Sequence, residues 1–183
     1  MRLQVWAKET AVVSFAYLVT FYMTFELLIP LQDRYFPEFS SHASLLFLPH
    51  GVRVLAAWLL GWRSVVALGP GVFLAFFSVA GLGVFTPSRL IAILIAVIVP
   101  AATFHAFKLV KWNLSPRSGQ MPCWPCIMAA GIAISILSSL LTNYVLGSGP
   151  QDYLAYLVGD IIGLFVLMMM LMFFFRVLRR YEA

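Results

Sequence analysis

Five ionisable side chains interrupt otherwise apolar stretches of this sequence, and their types are those that could carry chemistry. They are Glu26, His50, Arg53, His105 and Asp160. Inside a membrane span an ionisable group is costly unless it is paired or hydrated, so each position marks an internal ion pair or a functional site. His50 and Arg53 are three residues apart, so a helix would place both side chains on one face.

Two interpretations of these residues are open. In the first, Arg53 meets an anionic ligand in a polar pocket that opens to the outside, and His50 senses protons. In the second, the charges form an internal salt bridge that fixes helix packing. Glu26 and Asp160 are the possible partners of Arg53, and we expect the Arg53–Asp160 pair, with the two side chains within about 6 Å of each other. We expect His105 to be a packing residue that makes a hydrogen bond.

Cys123 and Cys126 form a second candidate site. A Cys-x-x-Cys spacing can form a disulfide or supply half of a metal site. A zinc site needs about four ligands, and the neighbouring sequence offers no second cysteine pair and no histidine. The pair falls on the predicted cytoplasmic side, where thiols stay reduced, so we expect two interfacial cysteines, with a redox pair as the alternative. No metal and no cofactor are predicted.

Six apolar stretches must position these residues. Hydrophobic residues make up 62% of the 183-residue chain and charged residues 10%, whereas soluble domains carry roughly 25% charged residues. About 20 apolar residues cross the hydrocarbon core of a bilayer as a helix. We therefore predict an all-α, polytopic transmembrane helix bundle that forms one domain over residues 1–183. The predicted spans are residues 11–29, 43–60, 65–85, 90–107, 127–145 and 153–175.

The basic residues predict the orientation of the spans. With a cytoplasmic N-terminus, two arginines, Arg34 and Arg89, fall outside, and nine basic residues fall inside, as the positive-inside rule requires. Both termini are therefore expected in the cytoplasm and the chain in the inner (plasma) membrane. Nucleic-acid binding is not predicted, because there is no basic stripe with interleaved aromatic residues. The nine inner residues are Arg2, Lys8, Arg63, Lys108, Lys111, Arg117, Arg176, Arg179 and Arg180.

The second stretch contains a helix-breaking step, Pro49-His50-Gly51. Proline lacks an N–H donor, so the simplest arrangement has Pro49 as the first helical residue, with residues 43–48 partly extended before it. Non-helical backbone cannot face lipid, so this segment should be buried against other helices or line a cavity. Pro49 and Gly51 therefore join the candidate site.

Two longer stretches carry a resemblance to a known family. One is Leu48-Pro49-His50-Gly51-Val52-Arg53-Val54-Leu55-Ala56, followed by Leu59-Leu60-Gly61-Trp62-Arg63, and the other is Val158-Gly159-Asp160-Ile161-Ile162-Gly163. They resemble the MASE1 membrane sensor domain, in which a Pro-Pro-x-Gly step opens an apolar helix and a Gly-Asp-x-x-Gly step lies in a late helix. The resemblance adds Gly159 to the candidate site. This sequence differs in having His50 in the first motif and no proline after Gly163. The family also has more spans, and a cytoplasmic output domain follows them.

The resemblance implies a shortened, stand-alone bacterial sensor that passes its signal to another protein. We therefore predict a non-catalytic sensory or accessory subunit whose partners are the lipid bilayer and another membrane protein or complex. Two alternatives are a small-solute transporter or substrate-binding membrane component, and a structural subunit of a larger membrane complex. A broken helix beside an arginine is also typical of transporters. No catalytic pattern is present, so no enzymatic activity is predicted.

Overall fold

The described residues of the computed structural model are 2–35, 44–112, 114, 123–147 and 150–181. Within these ranges 91% of the residues are helical and none forms a strand, which confirms the all-α prediction. Arg117, one of the nine inner basic residues, lies outside the described residues. The helices are α1 (Arg2–Tyr22), α2 (Ile29–Tyr35), α3 (Leu48–Leu60), α4 (Arg63–Ala80), α5 (Pro87–Leu109), α6 (Trp124–Leu146) and α7 (Pro150–Tyr181).

Five continuous helical segments are long and apolar enough to cross a bilayer, which indicates a multi-pass membrane protein. The first of them is longer than the predicted residues 11–29, because α1 continues through a π-helical turn (Met23–Leu28) into α2. A 3-10 turn (Gly81–Phe85) follows α4 and precedes α5. The five segments are Leu3–Tyr35, Arg63–Phe85, Pro87–Leu109, Trp124–Leu146 and Tyr156–Phe174.

The exterior of the bundle is apolar and many of its polar side chains are buried. Phe15, Leu94 and Phe173 are exposed, whereas Ser135 and Asn143 are buried. This distribution is the reverse of the usual one in a water-soluble protein, and a lipid exterior explains it. The fold is therefore consistent with a bundle whose surface faces mostly lipid.

The helix α3 lies at the centre of the bundle and contacts α1, α4, α5, α6 and α7. It has 13 residues, of which nine are buried, so neighbouring helices cover it almost completely. At 1.5 Å per residue it is about 20 Å long, which is less than the roughly 30 Å of the hydrocarbon core. The predicted second span, residues 43–60, is therefore only partly helical. The helix begins at Leu48, which makes Pro49 its second residue rather than its first.

The non-helical segment that precedes α3, Ser44–Phe47, packs against two glycines of α7. The Phe47 N–H donates to the Gly159 carbonyl at 2.9 Å. A Cβ atom at Gly159 would overlap the Ser44 carbonyl oxygen, and one at Gly163 would overlap that of Phe47. The four-residue spacing places both glycines on one face of α7. Gly159 thus has a packing role. The segment was expected to be buried against other helices or to line a cavity, and it does both in part: it packs against α7, while Ser44 and Phe47 line a cavity.

Ser14 makes the close contact between α1 and α4, beside Pro70. Proline has no N–H and interrupts the hydrogen bonding of α4. The Ser14 hydroxyl donates to the Ala67 carbonyl at 2.8 Å and accepts from the Gly71 N–H at 3.1 Å, so it bridges two backbone groups around the proline. A Cβ atom at Gly71 would lie 2.8 Å from the Ser14 Cα, so this approach requires glycine.

Replacing Gly71 by alanine should therefore destabilise the bundle. We expect Gly71→Ala to lower the free energy of unfolding by about 1–3 kcal/mol, because the added methyl group forces α1 and α4 apart. Gly69→Ala is the matched control: it lies on the other side of Pro70 and a Cβ atom there meets nothing within 4 Å. Unfolding in mixed detergent micelles measures both variants. Equal losses of stability in the two would contradict the assigned contact.

Candidate functional site

Arg53 of α3 and Asp160 of α7 form a buried ion pair. Arg53 Nη2 lies 3.7 Å from Asp160 Oδ1, and both residues are less than a tenth exposed. The expected pairing of these two residues is confirmed, and it joins the second and last of the predicted spans. Ser135 of α6 donates a hydrogen bond to Asp160 Oδ2 at 3.1 Å, so three helices meet at this carboxylate.

His50 lies on the same face of α3 as Arg53 and is fully buried. Its Nε2 is 3.3 Å from the Gly131 carbonyl oxygen of α6. Its Nδ1 is 3.1 Å from Asp160 Oδ2 and 3.3 Å from Arg53 Nη2. One imidazole ring thus connects α3, α6 and α7.

The two neighbours of His50 Nδ1 require opposite protonation states. Because a carbonyl oxygen only accepts, Nε2 must carry a proton in its contact with Gly131. A guanidinium only donates, so Arg53 requires a bare lone pair on Nδ1, whereas an ionised Asp160 only accepts and requires a proton there. The ring therefore either stays neutral and accepts from Arg53, or becomes an imidazolium and donates to Asp160. Proton sensing by His50 stays a prediction, and this geometry is compatible with it.

The remaining residues predicted for the site lie in different surroundings. Glu26 lies in the π-helical turn and is exposed, so its assignment to the polar cluster was wrong. Pro49 is buried at the start of α3, and Gly51 faces Leu164 and Leu167 of α7. Both residues therefore act in packing around the ion pair. His105 is also exposed rather than packed inside, with its ring 5.9 Å from that of Trp62.

A cavity of about 320 Å³ lies next to the ion pair, between α1, α4, α5, α6 and α7. Arg53, Asp160 and Tyr17 are its most deeply buried charged and aromatic groups. Residues at the ends of α4 and α6 and at the start of α5 also line it, so it extends to the Arg89 end of the bundle, which we call its mouth. The complete lining is Tyr17, Phe21, Phe25, Ser44, Phe47, Arg53, Ala75, Phe76, Val79, Ala80, Arg89, Ala92, Ala96, Ser138, Ser139, Thr142, Asn143, Leu146, Tyr156 and Asp160.

Three side chains of this lining carry buried polar atoms without a hydrogen-bond partner among the described residues. The atoms are Arg53 Nε, Ser138 Oγ and Asn143 Oδ1. The amide nitrogen of Asn143 is satisfied, because it donates to the Ser139 carbonyl at 2.8 Å. Buried polar groups are nearly always hydrogen-bonded in proteins, to ordered water or a ligand if not to the protein itself. These three atoms have almost no accessible surface themselves, so a change of side-chain rotamer would be needed to present them to an occupant of the cavity.

The polar wall of the cavity was missed by the sequence argument. It is part of a polar stripe on α6, whose residues at positions i, i+3, i+4, i+7 and i+8 fall on one face of the helix. This stripe in an otherwise apolar span was the signal that could have revealed it. In the sequence, Arg89 stands out only as an exception to the positive-inside rule. The stripe is Ser135, Ser138, Ser139, Thr142 and Asn143, and the last four line the cavity.

Cys123 and Cys126 are joined by a disulfide, with their Cα atoms 5.2 Å apart. The expectation of reduced thiols is therefore not met in this structure. Cys123 is exposed and Cys126 half-buried at the start of α6, and neither lines the cavity. Redox activity of the pair stays a prediction. Within the described ranges, no group of three or more His, Cys, Asp or Glu side chains is placed to hold a metal ion.

Removing the charge of Asp160 should destabilise the fold strongly. Asp160→Asn leaves Arg53 as an unpaired buried charge, and we expect a loss of about 3–5 kcal/mol in the free energy of unfolding. Adding Arg53→Met should recover part of this loss, because it removes the unpaired charge. Glu26→Gln is the matched control, since that carboxylate is exposed. Similar unfolding curves for Asp160→Asn and Glu26→Gln would show that the buried pair does not support the fold.

No protein-family model matches this chain, and no curated protein or solved structure matches it either. Its function must therefore be inferred from the chemistry of its own residues.

Proposed function

We propose that this chain is a non-catalytic sensory or accessory subunit of the membrane, which binds a small ligand in the cavity and acts through a partner protein. The observation that carries the proposal is the lining of the cavity: an ion pair at its floor, a polar wall on α6 and apolar walls on α1, α4 and α5. Small-molecule sites combine a mostly apolar lining with a few placed polar groups in the same way.

The size and the unsatisfied polar groups of the cavity support ligand binding over a purely structural role. Its volume of about 320 Å³ falls at the lower end of the range of known small-molecule sites, roughly 300–1,000 Å³. Each buried polar atom left without a partner costs about 1–3 kcal/mol, and a bundle built only for packing would avoid that cost. A polar occupant of the cavity would satisfy these atoms once their side chains turn toward it.

The titratable groups of the cavity support a non-catalytic role. Of the carboxylate and imidazole side chains that the structure describes, only Asp160 lines it. Asp160 is held by Arg53, His50 and Ser135, so it is not free to act as a general base. The resemblance to MASE1 sensors supports action through a partner, since those sensors act through an output domain.

A transporter is the second candidate function. Discontinuous helices often build substrate sites near the middle of the membrane, and α3 begins inside the bundle beside the cavity. Transport would require a path past the ion pair, beside which Val54, Ile134 and Leu164 are fully buried in one apolar cluster. Uptake of the bound ligand into proteoliposomes would favour this function over sensing.

Filling the cavity should abolish ligand binding. Thr142 is half-buried and lines the cavity, whereas the adjacent Leu141 is exposed. We expect the low-molecular-mass extract of the source cells to raise the melting temperature of the wild-type protein and of Leu141→Phe by a few degrees, because a ligand stabilises the state that binds it. Thr142→Phe should show no such rise.

The same experiment in nanodiscs separates the structural alternative from ligand binding. An equal shift in Thr142→Phe and the wild-type protein would place the ligand elsewhere, and no shift in any of the three proteins would favour a structural subunit. The unfolding curves without extract show whether Thr142→Phe is still folded.

A further inference from the structure

We infer that the ligand is a small organic monoanion with an apolar, ring-sized body, and that Arg89 rather than Arg53 binds its negative charge. The inference rests on the proposed ligand-binding function and assigns a chemical class to the ligand. It also gives a role to an arginine on the predicted outer side, where basic residues are scarce.

The charged residues of the lining leave one positive charge without a counter-ion. Among the side chains that the structure describes these residues are Arg53, Arg89 and Asp160, so two positive charges face one negative charge. Charges interact strongly in the low-dielectric interior of a bundle. A singly charged anion would make the cavity neutral, whereas a cation would add to the unbalanced positive charge.

Arg53 is already engaged at the floor of the cavity. Its guanidinium lies 3.7 Å from Asp160, 3.3 Å from His50 and 5.7 Å from the centre of the Phe47 ring. An anion bound to Arg53 would also approach the Asp160 carboxylate, and the repulsion between them would weaken the binding. The floor therefore suits an uncharged part of the ligand.

Arg89 has no carboxylate partner among the side chains that the structure describes. It lies in the first turn of α5 and is half-buried. Its guanidinium lies against Gly83 of the 3-10 turn, because a Cβ atom there would overlap it. This position at the mouth leaves an arginine that can bind a carboxylate through two parallel hydrogen bonds.

Aromatic side chains lie between the mouth and the floor. The rings of Phe21 and Phe25 are 4.4 Å apart on the first helical segment, and Phe76 of α4 also lines the cavity. Such a lining binds apolar rings through the hydrophobic effect and ring–ring contacts. The ligand should therefore place its charged group at Arg89 and its apolar body among these rings.

Three probes with one body and different charges test the inference: phenylpropionate, phenylpropionamide and phenylpropylammonium. Each is titrated into the protein in phosphatidylcholine nanodiscs, and partition into empty nanodiscs is subtracted. We expect phenylpropionate to bind about tenfold more tightly than the amide, which is the effect of one hydrogen bond to a charged group. Phenylpropylammonium should bind more weakly than either.

Two arginine variants test the assigned residue. Arg89→Gln should weaken phenylpropionate binding about tenfold and leave the amide unchanged. Arg34→Gln removes the other arginine of the predicted outer side, which is exposed and does not line the cavity, and should change neither affinity. An unchanged preference for the anion in Arg89→Gln would overturn the role of this residue.

The outcomes separate this inference from the proposed function. If the amide or the ammonium probe binds as tightly as phenylpropionate, or if no probe binds, the monoanion assignment is wrong. The melting-temperature shift with cell extract and its loss in Thr142→Phe then still support a ligand site. If Thr142→Phe binds the probes as the wild-type protein does and also responds to the extract, both proposals fail.

Discussion

The buried pair of Arg53 and Asp160 is the interaction on which the rest of the structure depends. Two charges in a hydrocarbon environment must be close together and shielded from lipid, because an unpaired charge there is strongly unfavourable. Shielding Arg53 requires α3 to lie at the centre of the bundle, where five other helices cover it. Pairing it with Asp160 requires α7 to lie beside α3, and the glycines of α7 allow the backbone of Ser44–Phe47 to approach closely enough.

The cavity follows from the short length of α3. A helix that begins at Leu48 does not fill the space next to the ion pair between α1, α4, α5, α6 and α7. The segment Ser44–Phe47 occupies only part of this space. The space that is left is lined by the polar face of α6 and by aromatic side chains. The same proline step that shortens the helix therefore creates the room in which a ligand can bind.

The position of the cavity fits a sensory role. An occupant that reaches the floor contacts Asp160, which is bonded to His50, Arg53 and Ser135 on two other helices. A change at this carboxylate would alter the contacts that join α3, α6 and α7. In the proposed function His50 would add a second input at the same point, because its Nδ1 has one neighbour that donates and one that accepts. Ligand and proton would then act on one set of contacts.

The sequence by itself determined the features that depend on position along a helix. Apolar stretches identified the five long helical segments, Pro49 identified the break in the second predicted span, and the cost of buried charge identified the Arg53–Asp160 pair. Only the tertiary structure decided which way each helix face points. Glu26 has a suitable position along the chain but faces outward within the π-helical turn, whereas Arg89 and the α6 stripe face a common cavity. Depth in the membrane can be read from residue spacing, but rotation about a helix axis depends on which neighbours pack against it.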